Sequence, residues 1–385
     1  MGIINRYIIK FYITMKFSKY IKKKYMLILI IILILFFTYK YIYQNEKLRA
    51  IVNLYTYKDK YVKNFHNSMN TLPQYLLKKT DNFGTYDLND FRNNVQIERT
   101  DDGKDENIDV CSSIWHDMCT LSDMHRMYVA PCLDENASVN KNQELYEKEM
   151  VKRLNIKNGE LLDLGCGSGR IADNVSNASN NIVHGININP KHIEYAKKHA
   201  YQQGNNKTKF NVASFNDKLN FKTNSLDGAY DLGAILYSYD LLKTFKEIHR
   251  VLKPGGKYLT LSPVVLDKFD KNNEYHQYLL NCNRRVGEWT YAIHYKYIEE
   301  IGKKAGFNVI SSKIPGNISK TYEQIFHNYH YYYVIIDFLT KWGLIPKHVM
   351  GFLKKMAAED LKECVIAEHE KILTVSYEII FEKPE

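Results

Sequence analysis

The residues best placed to do chemistry are an aspartate and three glycines near the middle of the sequence. Asp163 lies in an apolar run of strand length, and Gly165, Gly167 and Gly169 follow at every second position. Because glycine tolerates positive φ and has no Cβ, such a turn lets a ligand approach the backbone closely. The acid and the turn together predict a pocket for a nucleotide-like group, although glycines that only tighten a strand-to-helix connection would give the same spacing.

The flanks of this turn predict the elements that hold it. The run 161–164 is apolar and 171–175 has helical spacing, so the order is strand, tight turn and helix. Residues 181–185 predict a second strand, and Asn187 follows twenty positions beyond Gly167. A polar residue at that distance suits the hydroxyls of a ribose, because an amide both donates and accepts hydrogen bonds.

Beyond the second strand, helical and strand patterns alternate. The sequence predicts helices near 190–203 and 241–252, and strands at 209–213, 226–235 and 257–262. This alternation is typical of parallel βα units, and it predicts an α/β fold with a doubly wound, mostly parallel sheet. Dinucleotide-binding enzymes share this architecture, but their Gly-x-Gly-x-x-Gly fingerprint has a different spacing.

Three later segments show a resemblance to a known family. Residues 227–230, 246–256 and 267–276 resemble the sterol C-methyltransferases, which are class I S-adenosylmethionine (SAM) methyltransferases. Residues 339–347, 352–361 and 372–383 are similar to that family's C-terminal segment, so the resemblance covers roughly 110–384. It implies a Rossmann-like sheet of seven strands, SAM as the cofactor and a sterol as the substrate.

The resemblance also assigns roles to individual residues. It implies that SAM is bound by Asp163, Gly165, Gly167, Gly169, Asn187, Ser214 and Phe215. The family usually holds the adenine amino group with an acid at the position of Ser214, and a hydroxyl can accept the same hydrogen bond. Residues 116–125 align with the sterol-region motif of the family. In this alignment Asp117 occupies the position of the family's acidic residue, and His125 occupies that of its histidine.

One departure from the family bears on which carbon is methylated. Members that methylate the sterol side chain at C-24 have an acid and a histidine at the positions of Gly233 and Tyr237. Side-chain methylation forms a carbocation, which needs anionic or aromatic stabilisation and then a base. We therefore expect methylation at ring C-4, where the enolate of a 3-keto sterol has its own negative charge. The candidate catalytic residues are His125, Asp117 and Tyr237.

Other functions stay open on these residues. A sterol C-24 methyltransferase, a methyltransferase of another lipid and an inactive SAM-binding protein all fit the glycine turn. His125 and Tyr237 also suit purely structural roles, and His276 suits a structural or substrate-lining one. No metal is expected, because methyl transfer from a sulfonium needs none. The six cysteines lack a C-x-x-C pair or metal-ligand spacing with histidine, so we expect buried, reduced thiols.

The net charge of +10 is concentrated at the N-terminus. Residues 1–63 hold 13 Lys and Arg and two acids, whereas the rest of the sequence holds 40 basic and 41 acidic residues. Because the sequence after residue 63 is nearly neutral, it does not predict a positively charged surface that binds nucleic-acid phosphates. We therefore expect no nucleic-acid partner. The interleaved Ile and Tyr of the basic N-terminus suit a lipid surface better than RNA.

An apolar run near the N-terminus predicts a membrane segment. Met26 to Phe37 is unbroken by any polar residue, and lysines and tyrosines flank it. Its length, about 18 residues when counted to Tyr43, suits a tilted span or an interfacial anchor. No small-residue cleavage site follows, which argues against a signal peptide. We expect the protein on the endoplasmic reticulum or another internal membrane, with its catalytic domain in the cytosol.

These patterns divide the sequence into five parts. We predict a basic arm at 1–24, a membrane anchor at 25–43, a helical and polar linker at 44–109, a methyltransferase domain at 110–312 and a sterol-methyltransferase-type C-terminal segment at 313–385. The sequence leaves the oligomeric state open, a homo-oligomer included.

Overall fold

Helices and strands alternate along the sequence as predicted. The computed structural model describes residues 48, 116, 119–120, 126–238, 240–287, 293–344 and 360–385. The helices are α1 (Val139–Leu154), α2 (Arg170–Ser179), α3 (Pro190–Gln203), α4 (Leu241–Val251), α5 (Glu274–Gly287), α6 (Tyr295–Lys304), α7 (Ile318–Lys341) and α8 (Leu361–Glu370). The strands are β1 (Glu160–Leu164), β2 (Ile182–Asn187), β3 (Thr208–Val212), β4 (Leu226–Leu232), β5 (Leu252–Val265), β6 (Asn308–Lys313) and β7 (Leu373–Glu382).

The strands of the described part form one seven-stranded sheet in the order β3-β2-β1-β4-β5-β7-β6. The first five are parallel to one another, and β7 is antiparallel to both β5 and β6. The strand order reverses between β1 and β4, and such a switch point opens a crevice at the carboxyl ends of the strands. The predicted α/β class with a mostly parallel seven-stranded sheet is confirmed.

Two cores, one on each face, hold helices against the sheet. Successive side chains of a strand point to opposite faces. Leu161 accordingly belongs to one buried cluster, together with Met150 of α1 and Val175 of α2, whereas Leu162 belongs to another, together with Phe245 of α4. Helices on both faces make the sheet doubly wound, as predicted, and leave its carboxyl edge as the place for a ligand.

The end of β4 differs from the prediction, which extended this strand to residue 235. The carboxylate of Asp231 accepts hydrogen bonds from the backbone N–H groups of Ala234 at 3.0 Å and Ile235 at 2.9 Å. These bonds bend the backbone away from the strand direction into a short 3₁₀ turn, Ile235–Tyr237. The strand therefore ends at Leu232, and the turn presents Tyr237 at the carboxyl edge.

Several predictions concern residues that the structure does not describe. The basic arm and the anchor at 25–43 lie outside the described residues, as does nearly all of the linker at 44–109, so these assignments stay predictions. Among the helices that are described, none is long and apolar enough to cross a bilayer.

The described cysteines match the expected reduced state. All five are buried, and none forms a disulfide bond with another described residue: Cys119, Cys132, Cys166, Cys282 and Cys364. Burial raises the pKa of the Cys166 and Cys364 thiols well above the usual value. Because the thiolate is the reactive form, we expect these side chains to be inert packing groups at neutral pH.

Candidate active site

The predicted cofactor residues meet at the carboxyl edge of the sheet. Strands β1 to β4 run parallel, so the segments that follow them are neighbours in space. Together they bring the following residues to one edge: Asp163 and the glycine turn from β1, Asn187 from β2, Ser214 and Phe215 from β3, and Gly233 and Tyr237 from β4. The edge coincides with the switch point between β1 and β4, which is where open α/β sheets bind ligands.

The glycine turn is fixed to the neighbouring strand by backbone hydrogen bonds. The N–H groups of Gly165 and Cys166 both donate to the carbonyl of Ile186 in β2, each at 2.9 Å. The N–H of Gly169 donates to the carbonyl of Cys166 at 2.9 Å and closes the turn. A turn held this firmly offers a preformed backbone surface to a ligand.

The three glycines are required for different reasons. All have positive φ, at 76°, 51° and 77° in sequence order. A Cβ at Gly165 would lie 2.5 Å from that of Ala234, and a Cβ at Gly169 would lie 2.6 Å from that of Ala196. Both positions therefore allow close packing within the protein. A Cβ at Gly167 would meet no atom within 4 Å, so the open space beside the turn lies over this residue.

Asp163 lies beneath the turn with a carboxylate oxygen that has no partner. The residue is 2% exposed, and its Oδ2 lacks a hydrogen-bond partner of good geometry among the described residues. Burial, with the charges of Asp231 and Glu147, raises the pKa of Asp163 to about 8, although a weak side-chain hydrogen bond from Tyr230, whose hydroxyl also lacks a partner of good geometry, lowers this pKa. Buried polar atoms are normally satisfied, so an orphaned acceptor beside an open turn fits a ligand that supplies a donor.

The end of β2 offers an oriented amide. The Nδ2 atom of Asn187 lies 3.3 Å from Nδ1 of His192. Burial, assisted by the nearby His116, lowers the pKa of His192 to about 4, so the ring is neutral at physiological pH. With its proton on Nε2, His192 accepts a hydrogen bond from Asn187, whose carbonyl oxygen stays available to hydroxyl donors. The sequence analysis missed this partner.

Replacing Asn187 by alanine should weaken SAM binding about tenfold, because one or two hydrogen bonds of about 1 kcal/mol each are lost. Isothermal titration calorimetry measures the change. Asn211→Ala is the matched control, since this exposed asparagine lies on the adjacent strand β3, in register with Ile186, and has no proposed contact with the cofactor. Equal affinities for the wild type and the Asn187 variant would remove Asn187 from the cofactor site.

The loop after β3 packs beside the glycine turn and is tied to the loop after β4. Cε1 of Phe215 lies 4.0 Å from the position of a Cβ at Gly165. The hydroxyl oxygen of Ser214 accepts from the N–H of Asn216 at 3.1 Å, and the side-chain amide of Asn216 donates to the carbonyl of Tyr237 at 3.1 Å. An aromatic ring and a hydroxyl beside the turn fit the requirements of an adenine ring.

Of the three predicted catalytic residues, the structure places one at this edge. Tyr237 ends the 3₁₀ turn and is 39% exposed. Gly233 lies at the start of the same loop, and a Cβ there would meet no atom within 4 Å. Asp117 and His125 lie outside the described residues, so their proposed roles stay predictions.

The neighbours of those two residues are nevertheless fixed close to the site. The ring of His116 lies 5.8 Å from that of His192 and 6.1 Å from that of Tyr195, both of α3. Arg126 is buried, and its Nε lies 2.8 Å from Oε1 of Glu147 in α1. His116 and Arg126, which are next to these two residues in the sequence, thus lie beside α3 and α1 respectively.

Glu147 is a second feature that the sequence analysis missed. It also accepts hydrogen bonds from the Tyr128 hydroxyl at 3.0 Å and from Nδ2 of Asn174 in α2 at 2.6 Å. Burial raises the pKa of Glu147 to about 7, although the Arg126 charge lowers it. The only signal in the sequence is an acid next to the helical positions of Tyr146 and Met150, on the face of α1 that is buried.

His276 has the structural role that the sequence left as one of two alternatives. Its Nδ1 accepts a hydrogen bond from the N–H of Asp270 at 2.9 Å and so closes the loop before α5. The residue also lines an open cavity with Lys268, Glu370 and Ile372. The two predicted roles, structural and lining, are therefore compatible.

Comparison with known proteins agrees with this geometry. A sequence profile described as a methyltransferase domain matches residues 155–328. The protein is 34% identical to a sterol 24-C-methyltransferase of Pneumocystis carinii, over 44% of its own length and 45% of that protein. It is 29% identical to a botryococcene C-methyltransferase of Botryococcus braunii, over 55% and 54%. The similarity thus spans about half the length of these relatives.

A solved structure shows the same fold. A cyclopropane synthase of Mycobacterium tuberculosis superposes with a TM-score of 0.55 at 15% identity, over 67% of the present protein and 90% of that one. With the sheet order, this likeness shows the fold of the class I methyltransferases, and the profile match identifies a methyltransferase domain, whose cofactor is SAM, at residues 155–328. Within that class, the predicted resemblance to sterol C-methyltransferases is confirmed.

Proposed function

We propose that the protein transfers a methyl group from SAM to a carbon atom of a sterol-like isoprenoid lipid. The observation that carries the proposal is the open turn over Gly167 beside the orphaned carboxylate oxygen of Asp163. This arrangement lies in a protein whose relatives are named as C-methyltransferases of a sterol and of botryococcene. Because the similarity covers about half of each relative, the substrate class is part of the proposal.

The residues at this edge fit SAM. When bound, SAM supplies a methyl group that its sulfonium has already activated for transfer to a nucleophile. Gly167 leaves room for the cofactor to approach the backbone, Asp163 offers an acceptor for an ammonium donor, and Asn187 offers a carbonyl for ribose hydroxyls. The protein must then align an electron-rich carbon, exclude water and remove a proton.

We propose ring C-4 as the methylated position, in preference to C-24 of the side chain. In the loop between β4 and α4 the one acid is Asp240, at the end of the loop, and its carboxylate caps α4 by accepting from the N–H of Lys243 at 2.9 Å. The nearest acid in β4, Asp231, is fully buried, and its carboxylate already accepts from two backbone N–H groups and from the Tyr258 hydroxyl at 2.7 Å. A carbocation at C-24 would meet little negative charge beside this loop, whereas an enolate at C-4 does not require it.

Ring methylation requires a base that takes the proton from C-4 and a donor near the 3-oxygen. Tyr237, His125 and Asp117 together provide the side-chain types for both roles. In support, Tyr237 lies at the cofactor edge, and His116, which is next to Asp117 in the sequence, lies beside His192, the partner of Asn187. Methylation at C-24 is the second candidate, because a relative is named for that reaction.

Matched substrates distinguish the two positions. The protein is incubated with isotopically labelled SAM and either a sterol with a saturated side chain and a 3-ketone, or one with a Δ24 side chain and a 3-hydroxyl. We expect label only in the first sterol, on C-4 by NMR, and no label with the Gly167→Val variant. Turnover of only the second sterol would reject the ring position, and turnover of neither would favour an inactive SAM-binding protein.

A further inference from the structure

An exposed apolar surface covers the C-terminal half of α7. Phe338 is 57% exposed, Trp342 71% and Leu344, just beyond the helix, 60%; Val334 and Ile335 are exposed as well. We call these five residues the α7 patch. Soluble proteins seldom leave large apolar side chains exposed in contiguous groups, so the patch indicates a contact with another apolar surface.

The patch lies on the side of α7 that faces away from the protein core. A helix turns about 100° per residue, so Val334, Ile335, Phe338 and Trp342 fall within an arc of about 100°. The N-terminal half of α7 buries Tyr322 and Ile325, at 1% and 4% exposure, and these project from the opposite side of the helix. Because the core packs on the opposite face, the described core leaves the patch exposed.

We propose that the α7 patch lies in the surface of a lipid bilayer that contains anionic headgroups. The chemistry of the surrounding sequence supports this occupant: the stretch from Phe338 to Ala358 contains four lysines and no acidic residue. Amphipathic segments that combine Trp, Phe and Leu with Lys bind anionic membrane surfaces, where the rings enter the interface and the lysines meet the headgroups.

A second copy of the protein fits the patch less well than a bilayer does. A symmetric dimer places the same surface of both subunits in contact. Residues 334–358 have a net positive charge in each copy, and bringing like charges together is unfavourable. The proposal is independent of the methylated carbon, and it predicts a lipid contact far in sequence from the apolar run at 26–37.

Fluorescence of Trp342 in the full-length protein tests this contact directly. The sequence contains three tryptophans, so W115F/W289F leaves Trp342 as the single emitter. Vesicles of phosphatidylcholine, with and without phosphatidylserine, are added, and brominated acyl groups serve as quenchers. We expect emission to shift to shorter wavelength and to be quenched, more strongly with phosphatidylserine. Because the readout is local, membrane binding by residues 26–37 alone does not produce it.

Variants and controls complete the test. F338A/L344A in the single-tryptophan protein should lower Trp342 quenching at limiting lipid about tenfold, whereas Tyr201→Ala, which removes an 87% exposed ring elsewhere, should not. Unquenched Trp342 on vesicle-bound protein would overturn the proposal. Blue-shifted Trp342 emission without lipid would also overturn it. A shift that grows with protein concentration would show that a second copy covers the patch. A shift that does not change with protein concentration would show that another part of the same protein covers it.

Discussion

Replacing Gly167 by valine will abolish SAM binding, with a loss of affinity of more than about a thousandfold, while the protein stays folded. The space over this residue is empty of protein atoms, so its Cβ and methyl groups would occupy the volume that the cofactor needs. A steric conflict with a rigid turn cannot be relieved by side-chain movement, because the turn is fixed by backbone bonds to Ile186. Calorimetric titration with SAM measures the loss.

Gly204→Val is the matched control for backbone strain. Gly204 also has positive φ, at 67°, and a Cβ there would likewise meet no atom within 4 Å. Both variants should lose about 1 to 2 kcal/mol of stability, the usual cost of a left-handed backbone for a residue with a Cβ. Only the Gly167 variant should lose SAM. Unchanged SAM affinity in that variant, or an equal loss in both, would contradict the assignment of the turn.

The local parts of the site could be predicted from the sequence because their signals are local. Gly165, Gly167 and Gly169 directly follow an apolar run, and the strand, turn and helix around them each leave a pattern within a few residues. Asn187 could be placed because the length of one βα unit sets its distance from the turn. Parallel strands then bring such residues to one edge whatever the details of packing.

The features that the sequence did not reveal depend on contacts between distant segments. His192 becomes the partner of Asn187 only when α3 packs against the end of β2, and burial then keeps its ring neutral. Glu147 acquires Arg126 and Asn174 as partners from segments on either side of it in the sequence. The early end of β4 has the same kind of cause, because Asp231 bonds the N–H groups of the following turn. No periodicity encodes these pairings.

Replacing Asp163 by asparagine will stabilise the cofactor-free protein near pH 8 and weaken SAM binding. Burial raises the pKa of Asp163 in the folded protein to about 8, whereas its usual value is 3.8. At pH values between 3.8 and about 8, the carboxyl group of Asp163 is deprotonated in the unfolded state and protonated in the folded protein. The unfolded state therefore binds fewer protons, and the contribution of Asp163 to the free energy of unfolding falls as pH rises from about 4 to about 8.

Asparagine has nearly the same shape as aspartate but no charge, so the variant does not have the free-energy cost of burying an ionised carboxylate. We expect the variant to gain of order a few kcal/mol over the wild type at pH 8, with the difference shrinking towards pH 4. SAM affinity should fall about tenfold to a hundredfold, because a charge-assisted hydrogen bond is worth roughly 1.5 to 3 kcal/mol. Denaturant unfolding between pH 4 and 8.5 without SAM measures the first effect, and calorimetry measures the second.

Asp217→Asn provides the control, because Asp217 is exposed on the loop after β3 and its loss should leave both stability and SAM affinity nearly unchanged across the pH range. A stability difference for the Asp163 variant that is constant from pH 4 to 8.5 would show that this carboxyl does not titrate as burial requires. A gain in stability without a loss of SAM affinity would show that the orphaned oxygen has no contact with the cofactor. Both effects together would show that the protein gives up stability at Asp163 to hold a carboxylate where SAM binds.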